Sequence, residues 1–496
     1  MADVSTLDRL IGWLSPARGL RRYWDRQRLA RAYEAASPRD PWKPRRPGAS
    51  ANADHAADAP ALRSKARALR QNVPYIRAGL DSRAAAIVGT GIVPTFKGRD
   101  GKKLQALWRE FVKTADADRR RDMYGLQADA VRALDVDGEV LLRIRVRRPD
   151  DPLPVPLQLQ LLEVDWLDTV RQRGEGANQV VNGIEYDAIG APVAYWLWDQ
   201  HPGDSTLKRG TRTESRRVPA ESIIHLFSPE RPGQGRGFSR LAPVIARVRD
   251  LQLYEDAEQA RKNLESRLGV LVSGDASQMV NPIGGGAADP AQAAATGSLG
   301  ELASGSITQL PPGVNVTVVE PTSAPGYVDY VKHQLHLICA GGGWTYEAAT
   351  GDMREVNFSS ARIRQIDFRR EIEQLQWLVI VPMLCQRIVD AFVRAAQLAG
   401  KLSDRPSFTV EHSTPKWDYV NPKQEIDADL TEISGGLSSI SEKLRRRGYD
   451  PIAVFDEMQG DVDELKKRGL LEVLLALQGR KLNEAPAAGA ATSNGE

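Results

Sequence analysis

A chain of 496 residues exceeds what a single hydrophobic core ordinarily organises, and 42% hydrophobic with 26% charged residues is the make-up of a folded globular protein. Lys and Arg total 67, and the net charge is only +3, which excludes attraction of the whole molecule to nucleic acid and leaves such contact to local basic surfaces. Two cysteines, Cys339 and Cys385, exclude a disulfide scaffold, and the longest apolar run, Trp377 to Cys385, falls far short of the ~20 residues that span a bilayer.

The N-terminus places Asp3, Asp8 and Arg9 among Leu7, Leu10, Ile11 and Leu14, a short amphipathic helix and not a secretory signal. With the cysteine usage this implies a soluble protein made in a reducing compartment. Met1 to Ser50 holds 11 Lys and Arg against 5 Asp and Glu, and 37–60 is rich in Pro, Ala and charge. Residues 1–60 are therefore expected to form a basic, largely extended arm, either a solvated tail or a contact for an acidic partner. Leu62 to Ile87 reads as helix with a break at Val73-Pro74. Further helices are expected over Lys102–Lys113 and Tyr124–Leu134.

The period then changes from helix to strand. Val140, Leu142, Ile144 and Val146 alternate with Leu141, Arg143, Arg145 and Arg147, which makes a strand with one polar face. "PLQLQLLEV" repeats the pattern, "NGIEYDAIGAPVAYWLW" reads as a hairpin turning at Ile189–Pro192, and Ser222–Phe227 is a further strand. The fold class is α+β, with an N-terminal α+β domain ending near residue 230.

Leu241 to Leu268 is helical by pattern, with Ser239 as its N-cap and apolar residues at Leu241, Val244, Ile245, Val248 and Leu251. At 1.5 Å per residue it would be a rod of ~42 Å. Its middle, "YEDAEQARKN", has too few large apolar residues to be buried in a monomer and suits packing against other copies of the chain. Short β-like pieces flank a Gly- and Ala-rich stretch expected to be a mobile loop. Tyr327–Ala340 is a shorter helix. From Ser359 a helix carries the stripe Phe368, Ile372, Leu375 and Val379, and Pro382 is expected to kink or restart it. After a strand at "SFTVEH", helices over Ile426–Ile433, Ser438–Arg447 and Pro451–Gly460 close the chain.

Four constellations bear on chemistry. Gly233-Gln-Gly235-Arg-Gly237 lies between a strand and a helix, but Phe238 stands where a dinucleotide fingerprint needs its third glycine, and no P-loop lysine follows. A turn that redirects the chain is the stronger reading, with nucleotide binding the alternative. His333, His336 and Cys339 cannot converge on a metal, because position i+6 of a helix is rotated away from i and i+3. The pairs Asp135/Asp137 and Glu163/Asp165 could hold Mg²⁺ for nuclease chemistry, or be ordinary acidic strand ends. Ala349–Arg370 combines a polar glycine loop with a helix rich in arginine, by itself an ordinary loop and helix cap, or else a surface that would meet DNA through phosphates. No Ser-type nucleophile elbow is present.

"PERPGQGRGFSRLAPVI", the long charged helix, "GGWTYEAATGDMREVNFSSARIRQIDFRREIE" and "WDYVNPKQEIDADLTEISGGLSSISEKLRRRGYDPIAVFDEM" together resemble the lambda-family portal proteins of tailed bacteriophages, in order over about residues 15 to 470. The resemblance implies a structural protein, not an enzyme, without cofactor or metal. It implies a ring of subunits, typically twelve, at one capsid vertex of the virion around a channel for double-stranded DNA. The implied partners are copies of the chain itself, DNA, the terminase large subunit, the major capsid protein and a head-completion protein, with no membrane, and assembly would take place in the host cytoplasm. By position, 61–236 would be a wing, 237–268 a first stem helix, 269–324 a clip and 325–341 a second stem helix. Residues 342–420 would hold a tunnel loop, a long helix and the rest of the wing, 421–480 a helical crown, and 481–496 a disordered tail. The tunnel loop facing DNA would comprise Thr350, Gly351, Asp352, Met353, Arg354, Glu355, Val356, Asn357, Phe358 and Ser359. Arg247, Arg249, Arg261, Lys262 and Arg267 are candidates for the bore of the stem, or for ion pairs with acidic residues of neighbouring subunits. Gly233, Gly235 and Gly237 would be a hinge.

Overall fold

The computed structural model describes residues 48–473 apart from 149, 205–213, 267–269, 274–314, 319–325, 355–357, 416, 418–421, 448 and 450, together with 13, 15 and 16. Two compact units are separated, Met1–Asp54 and His55–Glu496, and the account below concerns the second.

Helix α1 (Ala51–Asn72) and helix α2 (Pro74–Val88) divide at the expected place. Val73 is extended, as a residue before proline prefers, and Pro74 opens α2, where a missing N–H costs nothing. The expectation of an extended arm as far as Pro60 is corrected, since α1 starts at Ala51 and carries Pro60 within it. Alanine is the best helix former, and Ala59 and Ala66 on this helix are buried, which offsets the proline.

Strand β1 (Val93–Lys97) pairs antiparallel with β11 (Thr409–Ser413), Phe96 opposite Val410. Helix α3 (Gly101–Thr114) buries Leu104, Trp108 and Phe111, and α4 (Met123–Asp137) is capped by Asp122 and ended by Gly138 at φ 88°. Strands β2 (Glu139–Val146), β3 (Leu157–Leu162) and β8 (Ile223–Phe227) form an antiparallel sheet in the order β3-β2-β8. A meander of β4 (Gln179–Val181), β5 (Ile184–Tyr186), β6 (Pro192–Leu197) and β7 (Arg216–Pro219) makes a second sheet. The predicted hairpin is β5–β6, with Asp187 accepting from the Ile189 and Ala191 amides at 2.9 and 2.8 Å in its turn.

Period-2 alternation divides the faces of β2. Val140 and Leu142 enter the main core with Ile224 and Leu226, while Leu141 joins a smaller cluster with Leu162, Tyr195 and Ile223 beside the meander. Phe392 in the main core meets Trp108 edge-on at 5.1 Å and Phe111 at 5.2 Å.

Helix α5 (Ile245–Ser266) begins after a turn over 240–244, slightly later than its apolar pattern suggested, and is followed by β9 (Val270–Ser273) paired antiparallel with β10 (Asn315–Val318). The Gly- and Ala-rich stretch between them, "GSITQL" and the tail beyond 473 lie outside the described residues. Helices α6 (Tyr327–Gly342) and α7 (Tyr346–Thr350) follow.

Helix α8 (Phe358–Leu375) runs on through a π-helical segment, Gln376–Cys385, into α9 (Gln386–Leu398). The expected kink or restart at Pro382 is therefore corrected. Hydrogen bonding reaches back five residues here, as from the Gln386 amide to the Val381 carbonyl, and the wider turn takes up a residue that cannot donate. Three helices, α10 (Pro422–Ser434), α11 (Ile440–Arg446) and α12 (Pro451–Lys467), close the described chain; α10 and α12 are longer than predicted.

Candidate functional site

The last glycine of the turn before α5, Gly237, is held by an internal anion. Glu139, fully buried at the start of β2, is bound by Arg236 Nε at 2.6 Å and Nη2 at 2.7 Å. The Gly237 amide donates to it at 3.2 Å, and Arg63 Nη2 reaches it at 3.3 Å. His55 Nε2 and His225 Nε2 lie 3.2 and 2.9 Å from its two oxygens. Burial alone would raise this carboxyl, but Arg236 and the two histidines outweigh it and hold it well below the usual carboxylate range. Burial lowers His225 from its ordinary value, against the pull of Glu139. The amide and guanidinium that might have met a phosphate are thus already occupied by Glu139.

The three glycines differ in their surroundings. Gly233 has φ 78° with open space around it, whereas a Cβ on Gly237 would lie 2.0 Å from the Gly138 carbonyl oxygen. Gly237 marks a close approach of two backbones, the C-terminus of α4 and the entrance to α5. Beyond it the Ser239 hydroxyl accepts from the Leu241 amide at 3.2 Å, and the Arg240 amide donates to the Asp135 carbonyl at 3.1 Å.

Among the described residues, helix α5 is rooted in the core through its first turns. Leu241, Val244, Val248 and Leu251 pack with Ile76 and Leu80 of α2 and Ile338 and Cys339 of α6. From Gln252 to Asn263 no residue is buried. Tyr254 stacks on Tyr327 at 5.8 Å and meets Tyr330 edge-on at 4.8 Å, extending the α5–α6 pairing outward. Of the arginines singled out on α5, Arg247 donates to Gln334 of α6 at 2.6 Å, Arg249 meets Asp250 at 3.4 Å, and Arg261 donates to Glu258 through Nε at 2.9 Å. Lys262 is exposed, and Arg267 lies outside the described residues.

At the far end of α6 a cluster of charge joins four helices. Arg240 donates to the Gly342 carbonyl at 2.9 Å and pairs with Glu371 of α8. Arg83 of α2 donates to the Gly343 carbonyl at 3.0 Å, to Glu371 at 3.2 Å and to buried Asp135 of α4 at 3.3 Å. The two guanidinium groups thus sit at the negative end of the α6 dipole. Trp344 is buried against Gly79 and Gly342, where a Cβ would come within 2.3 and 2.2 Å of the indole.

The segment Thr350–Ser359 starts from this anchored base. The Thr345 hydroxyl caps α7, accepting from the Ala348 amide at 3.2 Å, and Gly351 ends it at φ 71°. Asp352 accepts from the Arg354 guanidinium at 2.9 and 2.8 Å, which holds its carboxyl far below the usual range, and Met353 is exposed. Glu355, Val356 and Asn357 lie outside the described residues, and Phe358 and Ser359 open α8. Glu347 of α7 pairs with Arg364 of α8 across the segment.

The carboxylate pairs weighed as metal ligands are held by arginine instead. Arg67 binds Asp137 at 2.8 and 2.7 Å and Asp165 at 2.6 Å, while Arg63 binds Asp165 at 2.8 Å. Glu163, Asp165 and His201 come within 4.8 Å of one another, yet Arg67 lies against both carboxylates. His336 stacks on Tyr346 at 4.3 Å, and Cys339 is buried. Burial pushes the Cys339 and Cys385 thiols up to about 11 and about 12, which removes them as nucleophiles near neutral pH.

Sequence reasoning missed Glu139, Arg236, Arg83, Arg240 and Trp344. Glu139 left a signal, a carboxylate on the same strand face as Leu141. The arginines left none, because their partners lie on other elements. Among the described residues no helix is long and apolar enough to cross a membrane.

Residues 39–376 match the family model for phage portal proteins of the lambda family. The chain is 28% identical over 418 residues to a probable portal protein of Halomonas phage phiHAP-1, covering 82% of this chain and 77% of the relative. It is 19% identical to portal protein B of Escherichia phage lambda, covering 74% of each. Among solved structures it is similar to the neck of a native GTA particle computed with C12 symmetry, with a TM-score of 0.45 and 17% identity over 78% of this chain and 94% of that one. With 39–376 matched, the chain belongs to the lambda family of phage portal proteins.

Proposed function

We propose that twelve copies of this chain form a ring at one capsid vertex and serve as the conduit through which double-stranded DNA enters and leaves the head. One observation carries this reading: α5 and α6 are rooted in the globular body at one end, while from Gln252 to Asn263 α5 buries no residue of its own. Such a helix is exposed in a lone chain and covered when copies stand side by side. In this assignment 61–236 is the wing, 237–268 and 325–341 are the stem, 269–324 the clip and 421–480 the crown. Gly233, at a left-handed φ, is the pivot at the stem entrance, with Gly237 held against Gly138.

Thr350–Ser359 faces the DNA as the tunnel loop, its base fixed by Trp344 and by Arg83 and Arg240. Arg247, Arg249 and Lys262 are stem cations on exposed positions, Arg247 donating to Gln334 of α6 and Arg249 meeting Asp250, while Arg261 lies half-buried against Glu258. The near balance of charge suits a conduit, since neutralising many phosphates at once would brake sliding. The terminase large subunit, supplying the energy for packaging, docks on the clip and is later replaced by a head-completion protein, and the capsid protein surrounds the wing. No bond-making step falls to this chain.

Native mass spectrometry with negative-stain imaging tests the reading. Rings with a central hole near twelve times 54.5 kDa are expected. A monomer that cuts DNA with Mg²⁺ would overturn it in favour of a nuclease.

A further inference from the structure

Beside the charge cluster that joins α2, α4, α6 and α8 lies a cavity of about 550 Å³, a volume within the range that small molecules fill. Its deep side is buried, with Asp135 3% and Leu134 5% exposed. Ser228, Glu230 and Pro243, which also line it, are exposed and form its mouth. Phe238 and Leu375 are half-buried and give it apolar walls. The lining therefore combines a carboxylate at the entrance, an apolar passage and a buried carboxyl at depth.

That buried carboxyl is only half satisfied. Asp135 Oδ1 accepts from Arg83 Nε at 3.3 Å, whereas its Oδ2, also buried, has no hydrogen-bond partner. A buried acceptor left unpaired is costly. Burial raises the Asp135 carboxyl although Arg83 and Arg240 pull it down. Neither guanidinium is held for a ligand. Arg83 donates also to the Gly343 carbonyl and to Glu371, and Arg240 donates to the Gly342 carbonyl and pairs with Glu371. Asp135, Glu230 and Glu371 thus outnumber the two arginines. Gly138 and Gly341, at the C-terminal ends of α4 and α6, line the cavity too and add the negative ends of two helices. The balance favours a positive ligand. A hard metal ion would find few oxygens here, one of its two lining carboxylates being on the exposed rim. An ammonium needs a single buried acceptor and gains from an aromatic wall such as Phe238.

We propose that this cavity binds a small organic ammonium, its amine donating to Asp135 Oδ2 and its apolar body lying against Phe238 and Leu375. Glu230 attracts the cation at the mouth. A ligand held there touches the turn before α5, the end of α6 and α8 together, and so braces the root of the α5–α6 pair on the globular body. The site does not depend on the ring reading.

Calorimetric titration of the full chain with phenethylamine, and with its neutral counterpart phenethyl alcohol, is the test. The amine is expected to bind at least about 10-fold more tightly than the alcohol, as a hydrogen bond to a buried charge supplies. Asp135→Asn is expected to weaken the amine at least about 10-fold and leave the alcohol unchanged. Glu230→Gln, at an exposed position, is expected to weaken the amine by about 2- to 5-fold. Ala242→Phe places a ring in the cavity from the turn before α5 and is expected to abolish binding of both. If Asp135→Asn fails to fold, the other two variants decide. Equal affinity for amine and alcohol would overturn the proposal, as would amine binding that survives Asp135→Asn or Ala242→Phe. A thermal midpoint raised by Mg²⁺ and not by the amine would overturn it in favour of a metal. Binding to monomer that rings lose would overturn it as well, since a neighbouring copy would then fill the cavity. No binding in either state would end the proposal and leave the ring reading untouched.

Discussion

Glu139 shows how much one side chain can organise. Its carboxylate gathers Arg236, Arg63, His55, His225 and the Gly237 amide in one buried place, drawing on α1, β2, β8 and the turn before α5. Removing one partner of a buried ion cluster leaves uncompensated charge, so Glu139→Gln is expected to cost about 3–5 kcal/mol, read as a shift of the urea denaturation curve. Glu185, buried with Arg217 at 3.0 Å and the Trp196 indole at 3.1 Å, offers a pH test. Burial acts to raise its carboxyl, but Arg217 and Asn178 prevail and draw it down to about 2. A depressed carboxyl stabilises the fold above its unfolded value near 4.5 and loses that contribution as pH falls toward about 2. Denaturation midpoints should therefore drop across this window, and Glu185→Gln should flatten the drop; an unchanged slope would remove Glu185 as its source.

Among the elements, the entrance to α5 and the exit from α6 are shaped by missing side chains. Gly237→Ala sets a methyl against the Gly138 backbone and is expected to destabilise by about 1–3 kcal/mol or more, whereas Gly233→Ala, in open space, meets only its left-handed φ at about 1–2 kcal/mol. Comparing thermal midpoints of the two variants checks the order. Gly79→Ala should displace the Trp344 indole and red-shift tryptophan emission, since the added methyl meets a rigid ring. How readily these elements are read from sequence differs. The β2 alternation, the Val73-Pro74 break and the α5 stripe are local patterns and were legible. Strand β1 was not, because Pro94 argues against a strand and its partner β11 lies some 300 residues later. The π-helical passage through Pro382 was hidden for a similar reason, as its neighbours in the main core decide that the chain continues.

For the whole molecule the balance of 67 basic against 64 acidic residues sets the expectation for DNA. Binding of a short duplex to assembled rings should be weak, with log K falling against log salt at a slope shallower than about −5, since each neutralised phosphate contributes about −0.9. A slope near −10, measured by fluorescence anisotropy, would mean a clamp and not a sliding contact.

Sequence alone determined what depends on neighbours along the chain: the mixed α and β composition, most helix and strand positions, and a family signature spread over ordered blocks. Periodicity and capping act over a few residues, so they survive in the one-dimensional record. Only the tertiary structure decided that Arg63 and Arg67 take the place a cation would need beside Asp137 and Asp165, that Glu139 fills the glycine turn, and that Arg83 and Arg240 join the end of α6 to α8. Each of these pairs a charge with a partner far away in the chain. Whether a carboxylate binds metal, proton or guanidinium depends on which group the fold brings within about 3 Å and how much water it leaves there.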